Sequence, residues 1–131
     1  MSKPILCVDF DGVIHSYSSG WQGADVIADP PVHGALEWLW HAQVYWDVQV
    51  YSSRSKEPNA IVAMREWLRY WALKELFFEG EVLENFMNEL SFPTQKPAAN
   101  MTIDDHAICF EGDWSKIDPK ALLEFKPWNK R

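Results

Sequence analysis

The stretch ILCVDFDGVI, residues 5–14, sets a short apolar run against two aspartates, Asp9 and Asp11. A carboxylate drawn into apolar surroundings is costly unless it is paired, hydrogen-bonded or bound to metal. A nearly continuous apolar run of this length, followed by turn chemistry, reads as a strand covered on both faces. Residues 5–10 are therefore expected to form a buried first strand with acids at its carboxyl end. The competing reading is an edge strand with two ordinary surface acids.

Residues 13–28 carry two β-like pieces, 13–17 and 25–28, around a Ser/Gly turn, and read as a β-hairpin flap after the first strand. Pro30 and Pro31 open a helix to about residue 45, with Leu36, Leu39, Trp40 and Val44 at helical spacing. Residues 47–53, DVQVYSS, read as the second strand. A helix follows from Glu57 or Pro58 to about residue 76. Its apolar face holds Ile61, Met64, Leu68 and Trp71; Arg65, Glu66, Arg69 and Lys74 face outward. Residues 81–90 suggest a further short helix. Residues 90–92, 100–105 and 107–112 suggest a third, fourth and fifth strand. Asp118 and Pro119 read as N-cap and first residue of a last helix to about residue 125.

Strands alternating with helices predict one α/β domain over residues 1–131, with a mostly parallel sheet. Such sheets bind ligands at the carboxyl ends of their strands. Asp9 and Asp11, Ser52 and Ser53, and Asp104 and Asp105 are all placed at that rim.

Size and composition agree. A chain of 131 residues, 47% hydrophobic and with eight Trp, has the material for one packed core. A net charge of −7 counts against a general grip on nucleic acid. The basic tail, residues 126–131, reads as a solvated cationic end. Two cysteines make no disulfide framework. There is no leader pattern and no apolar stretch approaching ~18 residues, which suggests a soluble, cytoplasmic protein that makes no membrane contact.

Four carboxylates at one rim repel; two unit charges ~4 Å apart cost about 4 kcal/mol at an effective dielectric of 20. A cation must offset this, and hard oxygen ligands suit Mg²⁺. Zinc fits poorly, since His15, His33, His41 and His106 show no HExxH spacing and the cysteines no CxxC. Lys96, in TQKPAAN before the fourth strand, offers further positive charge. No GxxxxGK[ST] or GxGxxG occurs, and neither cysteine has arginine at the sixth position after it.

Four segments, in order, resemble the motifs of the haloacid dehalogenase superfamily. VDFDGVI resembles its DxDG nucleophile motif. VQVYSSR is similar to its strand ending in Ser or Thr, QKP to its lysine motif, and MTIDD to its strand ending in paired acids. The resemblance implies a three-layer Rossmann-like fold and a phosphatase acting through an aspartyl-phosphate. It implies Asp9 as nucleophile and Asp11 as general acid and base. Ser52 would hydrogen-bond the phosphoryl group, with Ser53 as competitor, and Lys96 would neutralise charge. Mg²⁺ would be held by Asp9, the Asp11 carbonyl, Asp104 and, directly or through water, Asp105. Gly12 would let the chain turn tightly and would border the substrate with Ser53 and Arg54. Dehalogenation would need neither Mg²⁺ nor a second aspartate, so phosphate is favoured over halide.

Neither gap between these motifs leaves room for a sizeable cap domain, so the site is expected to be capless and open. Such a site suits macromolecular phosphates, or small phosphorylated substrates where an oligomer neighbour supplies a lid. A non-catalytic phosphate- or metal-binding domain and a phosphotransferase are the alternative functions. Arg54 is a candidate for a second phosphate. His15, His106 and Trp21 lie near the site, but loop histidines and packing tryptophans are the commoner reading.

Overall fold

The computed structural model describes residues 2–131. The protein is α/β, with a four-stranded, wholly parallel sheet and three α-helices among the described residues. The strands are β1 (Ile5–Val8), β2 (Asp47–Val50), β3 (Leu90–Ser91) and β4 (Met101–Ile103); the helices are α1 (Ala35–Ala42), α2 (Pro58–Leu76) and α3 (Gly80–Asn88). The sheet order β3-β2-β1-β4 puts β1 inside, between β2 and β4. This topology is compatible with a Rossmann-like fold. No helix among the described residues is long and apolar enough to cross a membrane.

The core follows from the two periodicities. Leu6 and Val8 alternate with Cys7 along β1, and Val48 and Val50 do so on β2. These valines and leucines pack with Leu36 and Leu39 of α1, Met64 and Leu68 of α2, and Leu83, Phe86 and Met87 of α3. Pro58 at the first helical position, with extended Glu57 before it, starts α2 where expected. The helix ends at Phe77, which adopts the left-handed conformation with φ 58° and is strongly exposed. α2 packs against both α1 and α3.

Several expected elements are shorter or absent. α1 begins at Ala35, because Pro31 bridges to His15 and Gly34 takes a left-handed φ of 83°. Trp40, inside α1, and Val44, beyond its end, both lie on exposed surface. Residues 13–28 form no hairpin ladder; His15 makes only isolated bridges, to Asp11 and Pro31. The fifth strand over 107–112 is not formed. The Asp104 carboxylate accepts the His106 backbone N–H at 2.9 Å, turning the chain out of the sheet. Phe110 then packs on Trp114 instead of on a neighbouring strand. The last expected helix reduces to a short 3₁₀ turn at Ala121–Glu124.

Candidate functional site

Strand register brings the site together. Val8 is aligned with Val50 on one side and Ile103 on the other. The residues that follow therefore leave the sheet side by side, on strands spaced ~4.8 Å apart. The Asp9 N–H donates to the Ile103 carbonyl at 3.0 Å, and the Tyr51 N–H to the Val8 carbonyl at 3.1 Å. Beyond Asp9 the chain coils back on itself. The N–H groups of Ile14 and His15 both donate to the Phe10 carbonyl at 2.9 Å, and that of Gly12 to the His15 carbonyl at 2.7 Å. Gly12 has φ 83°, and a Cβ there would collide with the Asp105 carboxylate. Close approach of the first and fourth strand ends thus demands glycine.

Asp9, Asp104 and Asp105 form the acidic floor. Burial, a hydrogen bond shared with Asp105, and the charges of Asp104 and Asp105 push the Asp9 carboxyl up to about 8, against the Phe10 N–H that donates to it at 2.8 Å. The Asp105 side chain is 5% exposed. Its Oδ1 is buried without a hydrogen bond, and His106 Nδ1 lies 3.1 Å from it. Ligand atoms of Asp104, Asp105 and His106 lie within 4.8 Å of one another; among the described residues Asp9 and Asp11, the other expected ligands, do not join this group, and His106 takes part instead. A buried carboxylate oxygen with no hydrogen bond, beside a second carboxylate and an imidazole, is a donor set that could hold a metal ion.

Asp11 has a different environment. Arg54 holds it with a fork, Nε to Oδ2 at 2.7 Å and Nη2 to Oδ1 at 3.0 Å. His15 Nδ1 lies 2.9 Å from Oδ1. The Asp29 N–H donates to His15 Nε2 at 3.1 Å, which fixes the neutral tautomer that donates from Nδ1 to Asp11. Burial raises the Asp11 carboxyl, but the His15 and Arg54 hydrogen bonds and the arginine charge outweigh it and hold it below its usual range.

Arg54 is not the substrate-facing cation expected of it. The residue is 1% exposed. Its Nη1 donates to the carbonyls of Gly23, Ala24 and Val26 at 2.8–3.1 Å, and its guanidinium lies over Trp21 at 4.7 Å. All its donors are directed inward, so no second phosphate can reach it. It instead ties the loop after β1 to Asp11. Asp29 secures the same loop, accepting from the Ser19 N–H and hydroxyl at 2.8 and 2.6 Å. His15, buried between Phe10 and Trp67, is part of this scaffold.

Two adjoining cavities meet at Asp9, Ser52, Ser53 and His106. One, about 280 Å³, is also lined by Cys7, Thr102, Asp104 and Lys96. The other, about 380 Å³, is also lined by Asp11, Tyr17, Asp105, Pro127, Asn129 and Lys130. Lys96 thus borders the acids, as its motif suggested. Ser52 is buried and its Oγ accepts the Arg54 N–H at 3.3 Å, while Ser53 is exposed at the rim. The basic tail is not simply solvated. Trp128 Nε1 donates to the Gly12 carbonyl at 2.7 Å and Asn129 Nδ2 to the Ser16 carbonyl at 3.5 Å, so this segment walls the larger cavity. No sequence signal marked Lys130 or the anchoring Trp128, whose partner is 116 residues away.

Compared with protein-family models, with curated proteins and with solved structures, the chain matches none.

Proposed function

We propose that the protein is a Mg²⁺-dependent phosphomonoesterase of the haloacid dehalogenase type. The observation that carries this reading is that Asp9, Asp104, Ser52 and Lys96 line one cavity at the carboxyl edge of a parallel sheet, with Asp105 lining the cavity that adjoins it at Asp9. In the finer form of the fold the domain is Rossmann-like and capless; its helices cover the Leu6 and Val8 face of the sheet, where Val13, Ile14 and Ile27 of the loop after β1 also pack.

Asp9, Asp104 and Asp105 would hold Mg²⁺, which supplies charge neutralisation at the phosphoryl oxygens and at the acids themselves. The Asp9 carboxylate attacks phosphorus as the bond to the ester oxygen breaks, giving an aspartyl-phosphate and an alcohol that takes up a proton. Water then attacks phosphorus, releasing phosphate and regenerating the carboxylate. Ser52 or Ser53 and Lys96 orient and neutralise the transferring group. Asp11 becomes the proton carrier when a hydrogen bond from Arg54 or His15 is released; until then it is a held carboxylate.

Turnover of an aryl phosphate tests this. Asp9→Asn is expected to abolish it with the fold intact by circular dichroism. Chelation is expected to stop it and added Mg²⁺ to restore it. Near-normal activity of Asp9→Asn, or hydrolysis in chelator, rejects the reading. The grip of Arg54 and His15 on Asp11 favours a second reading, a phosphate-binding domain without turnover. Mg²⁺ and phosphate binding with no hydrolysis across nucleotides, sugar phosphates, phosphopeptides and DNA ends would select it.

A further inference from the structure

We infer that Lys130, carried on the segment anchored by Trp128, is a substrate-selecting residue, and that the preferred ligand is a small phosphoryl compound bearing a second anionic group. The inference rests on the phosphate-binding reading of the Asp9 site but not on turnover. The two cavities share Asp9, and each has its own lysine: Lys96 in the smaller, Lys130 in the larger. One phosphoryl group beside Asp9 and Lys96 leaves the larger cavity for the rest of the ligand. Among the described residues no ion pair engages the Lys130 ammonium, and its backbone N–H is already bonded to the Pro127 carbonyl at 2.9 Å.

The segment is held by a built contact. The Trp128 indole donates to the carbonyl of Gly12, the residue whose turn brings the strand ends together. The segment that carries Lys130 is therefore tied to the turn beside Asp105. A volume of about 380 Å³ falls near the lower end for small-ligand sites, ~300–1,000 Å³. A wall of chain across the rim also disfavours a protein or a DNA end. Asp11 and Asp105 line this cavity too, but Arg54 already pairs Asp11 and a bound cation would pair Asp105; Lys130 is then the lining charge left to select for a carboxylate or a second phosphoryl group.

Non-hydrolysable phosphonates test this independently of catalysis. Calorimetry at saturating Mg²⁺ compares methylphosphonate with phosphonoacetate and 3-phosphonopropionate, which add a carboxylate. The full chain is expected to bind one of the carboxylated compounds about tenfold more tightly than methylphosphonate. Lys130→Ala should reduce that preference to near unity, and Lys130→Arg should keep most of it. Trp128→Phe, which removes only the indole donor and some ring area, should weaken it in part. Equal binding of all three phosphonates overturns the inference, as does full preference in Lys130→Ala. A Lys130→Ala protein that binds Mg²⁺ more tightly with preference intact would show a lysine that only offsets the acids, and also overturns it. Preference without any ester hydrolysis would leave this inference standing and reject the phosphatase; no phosphonate binding at all rejects both.

Discussion

Arg54 is accommodated at 1% exposure because nearly every donor is matched: two to Asp11 and three contacts from Nη1 to loop carbonyls. Removing one partner of such a pair strands the other charge away from water. Arg54→Met is therefore expected to destabilise the protein by about 3–5 kcal/mol in urea unfolding. Lys in its place lacks the planar fork and should recover only part of this. A loss below about 1 kcal/mol would mean that Asp11 finds water in the variant. Gly12 makes the other residue-scale demand. Gly12→Ala combines an unfavourable φ with a clash against Asp105. It should cost about 1–3 kcal/mol and, by displacing Asp105, weaken Mg²⁺ binding measured by calorimetry. A variant that loses stability but binds Mg²⁺ as before would place Asp105 outside the metal site.

Elements whose stability is set locally were legible from sequence. α2 announces itself through Pro58 and a stripe that includes Met64 and Leu68, both fully buried. Met64→Ala should accordingly cost about 2–5 kcal/mol through the cavity it leaves, a loss visible in urea unfolding. Its Mg²⁺ affinity should be unchanged, since the helix supplies no ligand; a changed affinity would couple the helix core to the acids. Asp9, Ser52, Asp104 and Asp105 were legible for a related reason: a parallel sheet gathers its strand ends wherever its loops wander. The segments misread from sequence depend on distant partners. Residues 13–28 alternate like strands, yet their carbonyls are taken by Arg54 and their fold is pinned by Asp29. Residues 107–112 are apolar enough for a strand, but the turn at Asp104 carries them off the β4 edge and leaves Ile108 and Phe110 about half exposed. Arg54 faces inward and Lys130 lines a site for reasons that no nearby residue states.

At the scale of the whole molecule, a chain of net charge −7 concentrates carboxylates at one sheet edge, and its stability should record this through pH. The Asp9 carboxyl sits at about 8 in the folded, metal-free protein against an ordinary 3.8. The folded state then binds more protons than the unfolded state between those values, so stability falls as pH rises through that window and the favourable contribution is gone above about 8. Asp11 acts with the opposite sign: its lowered carboxyl contributes stability above its unfolded value that is lost as pH falls through its folded one. Metal-free protein should therefore be most stable in mildly acidic solution, and weaker at pH 8.5 than at pH 5.5 by on the order of a few kcal/mol. Mg²⁺ in place of the proton should flatten the alkaline limb, because a bound cation removes the repulsion that holds the proton on. Asp9→Asn in chelator should flatten it as well, since an amide has no charge to bury. Urea unfolding at the two pH values, with chelator and with Mg²⁺, reads all three slopes. An unchanged alkaline slope in Asp9→Asn would move its origin away from the acidic floor, and with it the argument that a cation belongs there.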